Sequence, residues 1–83
     1  MVRITYKNSV ARDLKLIDKT RAKSLLDQLE DSLSSNPDAG EPLKGEFEGL
    51  YKLRIGDYRA IYTKVGDSIL ILRIGHRSKV YDR

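Results

Sequence analysis

The sequence has no cysteine, a single histidine, only two prolines and no long apolar run. Without cysteine there is no disulfide framework, no thiolate zinc site and no thiol nucleophile. One histidine excludes a multi-histidine metal centre, and neither a metal nor a cofactor is expected. The longest uninterrupted apolar stretch runs from Ile69 to Leu72. That is far too short for a membrane-spanning helix, and no signal-peptide pattern precedes it, so a cytoplasmic protein with no membrane partner is expected. The 83 residues allow one domain, 1–83. A chain of this size buries about 60–65% of its unfolded surface, too little for a second core or a deep enclosed pocket. With 34% charged and 40% hydrophobic residues it is neither disordered nor fibrous in composition.

The charge is uneven. Sixteen Lys and Arg stand against twelve Asp and Glu, a net +4. Residues 1–42 hold seven of each sign, whereas residues 43–83 hold nine basic and five acidic ones, so the entire excess lies in the second half. An asymmetry of this kind suits an anionic partner, nucleic acid among them. There is no basic run or tail, so folding must assemble any basic patch.

Val2, Ile4 and Tyr6 alternate with Arg3 and Thr5, the period of a strand with one covered face. Asn8 or Ser9 is placed to cap a short helix with Val10, Leu14 and Ile17 on one side, and Asp18 or Thr20 to open a longer one. In that second helix Ala22, Leu25, Leu26, Leu29 and Leu33 make one apolar stripe, and Asn36-Pro37 stops it. Two such helices are expected to cover one face of a sheet. Residues 36–49, with both prolines and three glycines, read as a long irregular connection. It is either a functional loop or a plain crossover back to the sheet.

From Leu50 the pattern turns to strands. Leu50–Ile55, Tyr58–Lys64 and Ser68–Ile74 are β-rich runs divided by Gly56-Asp57 and Gly66-Asp67. Gly at the first central position of a two-residue loop is the type II′ signature, so two successive hairpins are expected. The fold class is α+β in the order β-α-α-β-β-β, an antiparallel sheet with both helices on one face. Counting outward from the first turn sets Ile55 against Tyr58, Arg54 against Arg59, Leu53 against Ala60 and Lys52 against Ile61. Counting from the second sets Val65 against Ser68, Ile61 against Leu72 and Arg59 against Ile74. Two opposed arginines with Lys52 on the same face repel by about 0.2–1 kcal/mol. An anionic ligand reverses that sign; alternatively the long side chains splay into water. The tail Gly75–Arg83 leaves beside this pair and is long enough for Tyr81 to fold back across it, or to fray. His76 is either a surface residue or a proton donor and acceptor beside Arg77.

Taken in order, Glu41-Pro42-Leu43-Lys44-Gly45, Leu50-Tyr51-Lys52-Leu53-Arg54-Ile55, Tyr58-Arg59 and Ile74-Gly75-His76-Arg77-Ser78-Lys79-Val80-Tyr81 resemble the RelE/ParE superfamily of toxins from type II toxin–antitoxin systems. The resemblance covers nearly the whole chain and favours the RelE branch. It implies a toxin held inactive by a cognate antitoxin, a metal-independent endoribonuclease that cuts mRNA in the A site of the 30S ribosomal subunit and so inhibits translation. The alternatives are a ParE-like gyrase poison without RNase activity and a non-catalytic nucleic-acid-binding module. By resemblance Lys52 and Arg54 fill the basic positions of one strand, Arg59 that of the next, Arg77 the arginine after the last strand and Tyr81 the C-terminal tyrosine. His76 joins this catalytic set, Lys44 and Lys79 join Lys52, Arg54 and Arg59 in holding RNA, and Glu41 is a reserve base if the long loop folds over the site. Such an enzyme uses the 2′-OH of RNA as nucleophile and leaves 2′,3′-cyclic phosphate and 5′-OH ends. Tyr81, whose phenolate is favoured by neighbouring cations, or Lys52 takes the proton. Arg54 and Arg59 clamp the phosphate, and Arg77 or His76 assists the leaving oxygen.

Overall fold

The computed structural model describes residues 3–76. Its elements are β1 (Arg3–Tyr6), α1 (Asn8–Lys15), α2 (Lys19–Ser35), β2 (Glu41–Pro42), a 3₁₀ turn (Gly45–Phe47), β3 (Tyr51–Ile55), β4 (Tyr58–Val65) and β5 (Ser68–His76). The five strands lie in the order β1-β5-β4-β3-β2. The expected α+β arrangement is present, with two additions. β1 pairs in parallel with β5, so the sheet is mixed rather than wholly antiparallel, and a two-residue β2 adds an edge next to β3. Parallel pairing follows from connectivity: two helices and three strands separate β1 from its neighbour, and no tight turn obliges the two to run oppositely.

Both helix boundaries of α2 follow local chemistry. The Asp18 carboxylate accepts from the amides of Thr20 (3.1 Å) and Arg21 (3.3 Å), satisfying donors that the first turn leaves open. At the other end Asn36, preceding Pro37, is extended (φ −150°, ψ 96°). α1 differs from expectation. Its N-cap is Lys7, without a side-chain cap, and Ser9 instead donates to the Leu72 carbonyl at 2.6 Å. The hydroxyl is drawn to β5 because β1 has ended there. The core lies between the helices and one sheet face, where Val10, Leu25, Leu29 and Leu33 meet Ile55, Ala60, Tyr62, Ile69, Ile71 and Ile74.

Gly56 and Gly66 have φ of +59° and +60°, and neither following aspartate has positive φ, the pattern of type II′ turns. The β3–β4 register agrees with the count in all four pairs. The β4–β5 register starts as counted, with Val65 against Ser68, then shifts at a bulge. Tyr62 faces Ile71 and Ile61 faces Arg73, so Leu72 is the extra residue and Arg59 faces Gly75, not Ile74. An inserted residue reverses the face of everything beyond it. Here it turns Ile74 into the core alongside Ile71 and sets a residue without a side chain beside Arg59.

Candidate nucleic-acid interface

Leu53, Ile55 and Ala60 pack toward the helices, so Lys52, Arg54 and Arg59, which alternate with them, stand on the opposite face. Arg54 is exposed, whereas Lys52 and Arg59 are half-buried and the Arg59 Nε is buried. Ile61 lies on this same face, buried against Lys52's side of the row, and gives the cationic side chains an apolar floor. Gly75 is the register partner of Arg59 and contributes no side chain to the face. The result is an open, positively charged surface suited to the non-bridging oxygens of a phosphate.

Glu41 reaches this surface from the edge. The sequence makes Glu41 a reserve base only if the long loop folds over the site; the structure brings Glu41 there by backbone pairing, as the register partner of Lys52. Its carboxylate is 3.8 Å from the Lys52 Nζ, and its side chain is 78% exposed. A pair this exposed contributes at most about 1 kcal/mol to stability. It does set a carboxylate beside an ammonium at the edge of the face.

The segment before β2 has an ordered seat. Fully buried Tyr62 accepts from the Gly40 amide (2.9 Å) and donates to the Pro37 carbonyl (3.4 Å). Burial pushes the Tyr62 phenol above its ordinary range, partly offset by the bond from Gly40. Tyr51 stacks on Tyr62 (5.4 Å between centroids), the Lys64 ammonium lies 5.0 Å above the Tyr51 ring, and Lys64 also pairs with Asp38. That bond raises the Lys64 pKa. Lys44 is exposed, at the start of the 3₁₀ turn.

At the far end of β5, His76 faces Tyr58, and the two rings meet edge to face with centroids 5.7 Å apart. Tyr58 packs against the core, so the imidazole stands on the helix side of the sheet, across from Arg54 and Arg59 rather than among them. Arg77, Lys79 and Tyr81 lie outside the described residues. Sequence reasoning missed a clamp at the same end. The Asp13 carboxylate accepts from Arg73 Nε (2.9 Å), Arg73 Nη2 (3.2 Å) and the Ile74 amide (2.9 Å), which raises the Arg73 pKa. Asp13 thus takes the place of the strand that ended at Tyr6. Partners 60 residues apart leave no local signal.

Among the described residues no three His, Asp or Glu side chains group as metal ligands, and no helix is long and apolar enough to cross a membrane.

Residues 4–81 match the family described as ParE toxin of type II toxin-antitoxin system, parDE. Toxin RelE of Mycobacterium tuberculosis is 34% identical over 77 residues, covering 88% of this chain and 78% of its own. Toxin RelE3 of Methanocaldococcus jannaschii is 27% identical over 86 residues, covering 98% and 97%. The toxin–antitoxin complex RelBE2 of M. tuberculosis superimposes with a TM-score of 0.84 at 26% identity, over 92% of this chain and 98% of that one. The archaeal RelE–RelB complex from Pyrococcus horikoshii gives 0.68 at 28% identity, over 95% and 98%. Fold order, the basic sheet face and these likenesses agree: the chain belongs to the ParE toxin family, within the RelE/ParE superfamily of type II toxin–antitoxin toxins.

Proposed function

We propose that this toxin is an endoribonuclease that cleaves mRNA, in the cytoplasm, in the ribosomal A site, and is held inactive by a cognate antitoxin. The observation that carries the reading is the row Lys52, Arg54 and Arg59 on one open face with Glu41 at its edge. A gyrase poison needs only an exposed helical or C-terminal surface and does not call for this row. The relatives bearing RelE names, and the RelE–RelB complexes among similar structures, support the ribonuclease and antitoxin parts.

In this reading a base removes the 2′-OH proton, the 2′ oxygen forms a bond to phosphorus, and the bond from phosphorus to the 5′ oxygen breaks. The products are a 2′,3′-cyclic phosphate and, once the leaving oxygen is protonated, a 5′-OH. Arg54 and Arg59 hold the non-bridging oxygens, where negative charge grows in the transition state. Glu41, Lys52 or Tyr81 serves as base. Arg77 or His76 serves as acid, and His76 must turn from Tyr58 around the end of the sheet to do so. Lys44 and Lys79 add backbone contacts to the RNA.

The alternative, a ParE-like gyrase poison, is kept because the matching family description carries the ParE name. Mapping mRNA ends after induction, and in a purified system with and without ribosomes, separates the two. New ends within codons that require ribosomes support the proposal. Intact mRNA together with trapped gyrase–DNA complexes refutes it.

A further inference from the structure

We infer that Tyr62 is a positioning residue: its buried hydroxyl seats the Gly40 amide and thereby sets Glu41 beside Lys52 at the edge of the basic face. The importance of that placement for cleavage rests on the ribonuclease reading above; the placement itself does not.

β2 cannot hold its own register. It has two residues, and one of them, Pro42, has no amide hydrogen to give to the ladder. Edge pairs this short are not independently stable. Nor does packing fix Glu41, whose side chain is mostly exposed. The segment is held from outside at both ends. After β2, the Leu43 amide donates to the Leu50 carbonyl at 2.9 Å. Before it, both hydrogen bonds of the Tyr62 hydroxyl go to main-chain atoms of residues 37 and 40. Gly40 immediately precedes Glu41, so fixing its amide fixes the phase in which the chain enters β2. A slip of one residue there would send the Glu41 side chain to the other face.

Gly40 fits this role for a steric reason. A β-carbon there would overlap the Tyr62 hydroxyl and come within 2.7 Å of Cε1 and 2.8 Å of Cζ. The tyrosine thus sits against bare backbone, and no other residue type fits without displacing the segment. Lys64, bonded to Asp38 and lying over Tyr51, buttresses the same segment from the solvent side. A phenylalanine at position 62 would still stack on Tyr51 and fill the core. Only the hydroxyl's role would be lost.

The test is Tyr62→Phe, read first without activity. Carbodiimide joins a carboxylate to an amine in contact, so the Glu41–Lys52 cross-link, quantified by mass spectrometry of the full-length protein, reports their placement. Its yield should drop severalfold in Tyr62→Phe, and exchange of the Gly40 amide should accelerate about tenfold for a lost hydrogen bond of ordinary strength. Gly40→Ala, which keeps the tyrosine and displaces the segment, should lower the cross-link likewise. In ribosome-dependent cleavage, Tyr62→Phe should lower kcat about tenfold with KM within about twofold, as for a displaced reacting group. In a Glu41→Gln background the same change should cost nothing further, which a general loss of stability would not reproduce. An unchanged cross-link in Tyr62→Phe, or an equal further loss in the Glu41→Gln background, overturns the inference. If wild-type protein cuts no RNA, the ribonuclease reading fails, and cross-linking and exchange still decide the placement.

Discussion

Replacing Asp13 by alanine removes three hydrogen bonds at once, and the structure sets what each is worth. Arg73 is 55% exposed, so after truncation its guanidinium regains water rather than being stranded. The ion-pair part therefore stays below about 1 kcal/mol. The Ile74 amide is different: its residue is 4% exposed, β1 does not reach it, and Asp13 is its acceptor. Leaving a buried donor unmatched costs about 1–3 kcal/mol. Together the loss is about 1–4 kcal/mol, against a total near 4–12 kcal/mol for a domain of this length. In urea titration with m near 1 kcal/mol/M, the midpoint should fall by about 1–4 M with m unchanged. Asp13→Asn keeps an acceptor for Ile74 and should cost less than half as much. Arg12→Ala, an exposed neighbour, should stay within about 0.5 kcal/mol of wild type. An Asp13→Ala midpoint indistinguishable from that of Arg12→Ala would refute the assignment of Asp13 as the surrogate strand.

The other expectations concern the basic face, the tail and the tyrosines. On the ribonuclease reading, Arg54→Gln removes one donor to the phosphate and one half of a like-charge pair, so cleavage should fall about 10²–10³-fold. The melting temperature should hold or rise slightly, since the repulsion was worth at most about 1 kcal/mol; loss of both fold and activity would contradict it. Replacing Arg77 and Tyr81 together by alanine should abolish cleavage while leaving folding and antitoxin binding intact, and unchanged toxicity would remove both from the site. Tyr6 and Tyr62 are held above the ordinary phenol pKa of 10.0, Tyr6 by burial and then its bond to Glu30, Tyr62 by burial. Because the folded values are raised, their contribution to stability is complete below about pH 10 and is lost as pH rises beyond it, where the unfolded chain ionises first. An ultraviolet titration should contain a late-ionising component that Tyr6→Phe and Tyr62→Phe each diminish, and a curve unchanged by both substitutions would disprove it.

Features set by neighbouring residues were readable in advance. The Gly56-Asp57 turn dictates the β3–β4 count, so the Arg54–Arg59 pair followed from arithmetic on the chain. Asp18, the leucine stripe and Asn36-Pro37 likewise delimit α2. The bulge was not readable, because Ile69 to Leu72 is apolar throughout and offers no alternation to betray an extra residue. That single insertion explains the misplaced partners of Ile61 and Arg59. Counting also put His76 near the arginine pair, whereas the structure turns its ring to Tyr58. Glu41 stands out in the sequence as a carboxylate in the long connection, but its route to Lys52 through β2 depends on a tyrosine 22 residues away from Gly40.

The sequence alone determined that this is a small cysteine-free α+β domain whose excess positive charge is confined to its second half, and that a hairpin would oppose two arginines. Those properties depend on composition, capping and turn chemistry, all local. Tertiary structure decided which side chains share a face: Asp13 replacing a missing strand, Leu72 standing out of register, Tyr62 seating Gly40, and the parallel β1. Each of these satisfies a backbone donor or acceptor with a group distant in the chain. Such matches follow from the need to pair every buried polar group once the core has closed, and that requirement leaves no imprint at any one position of the sequence.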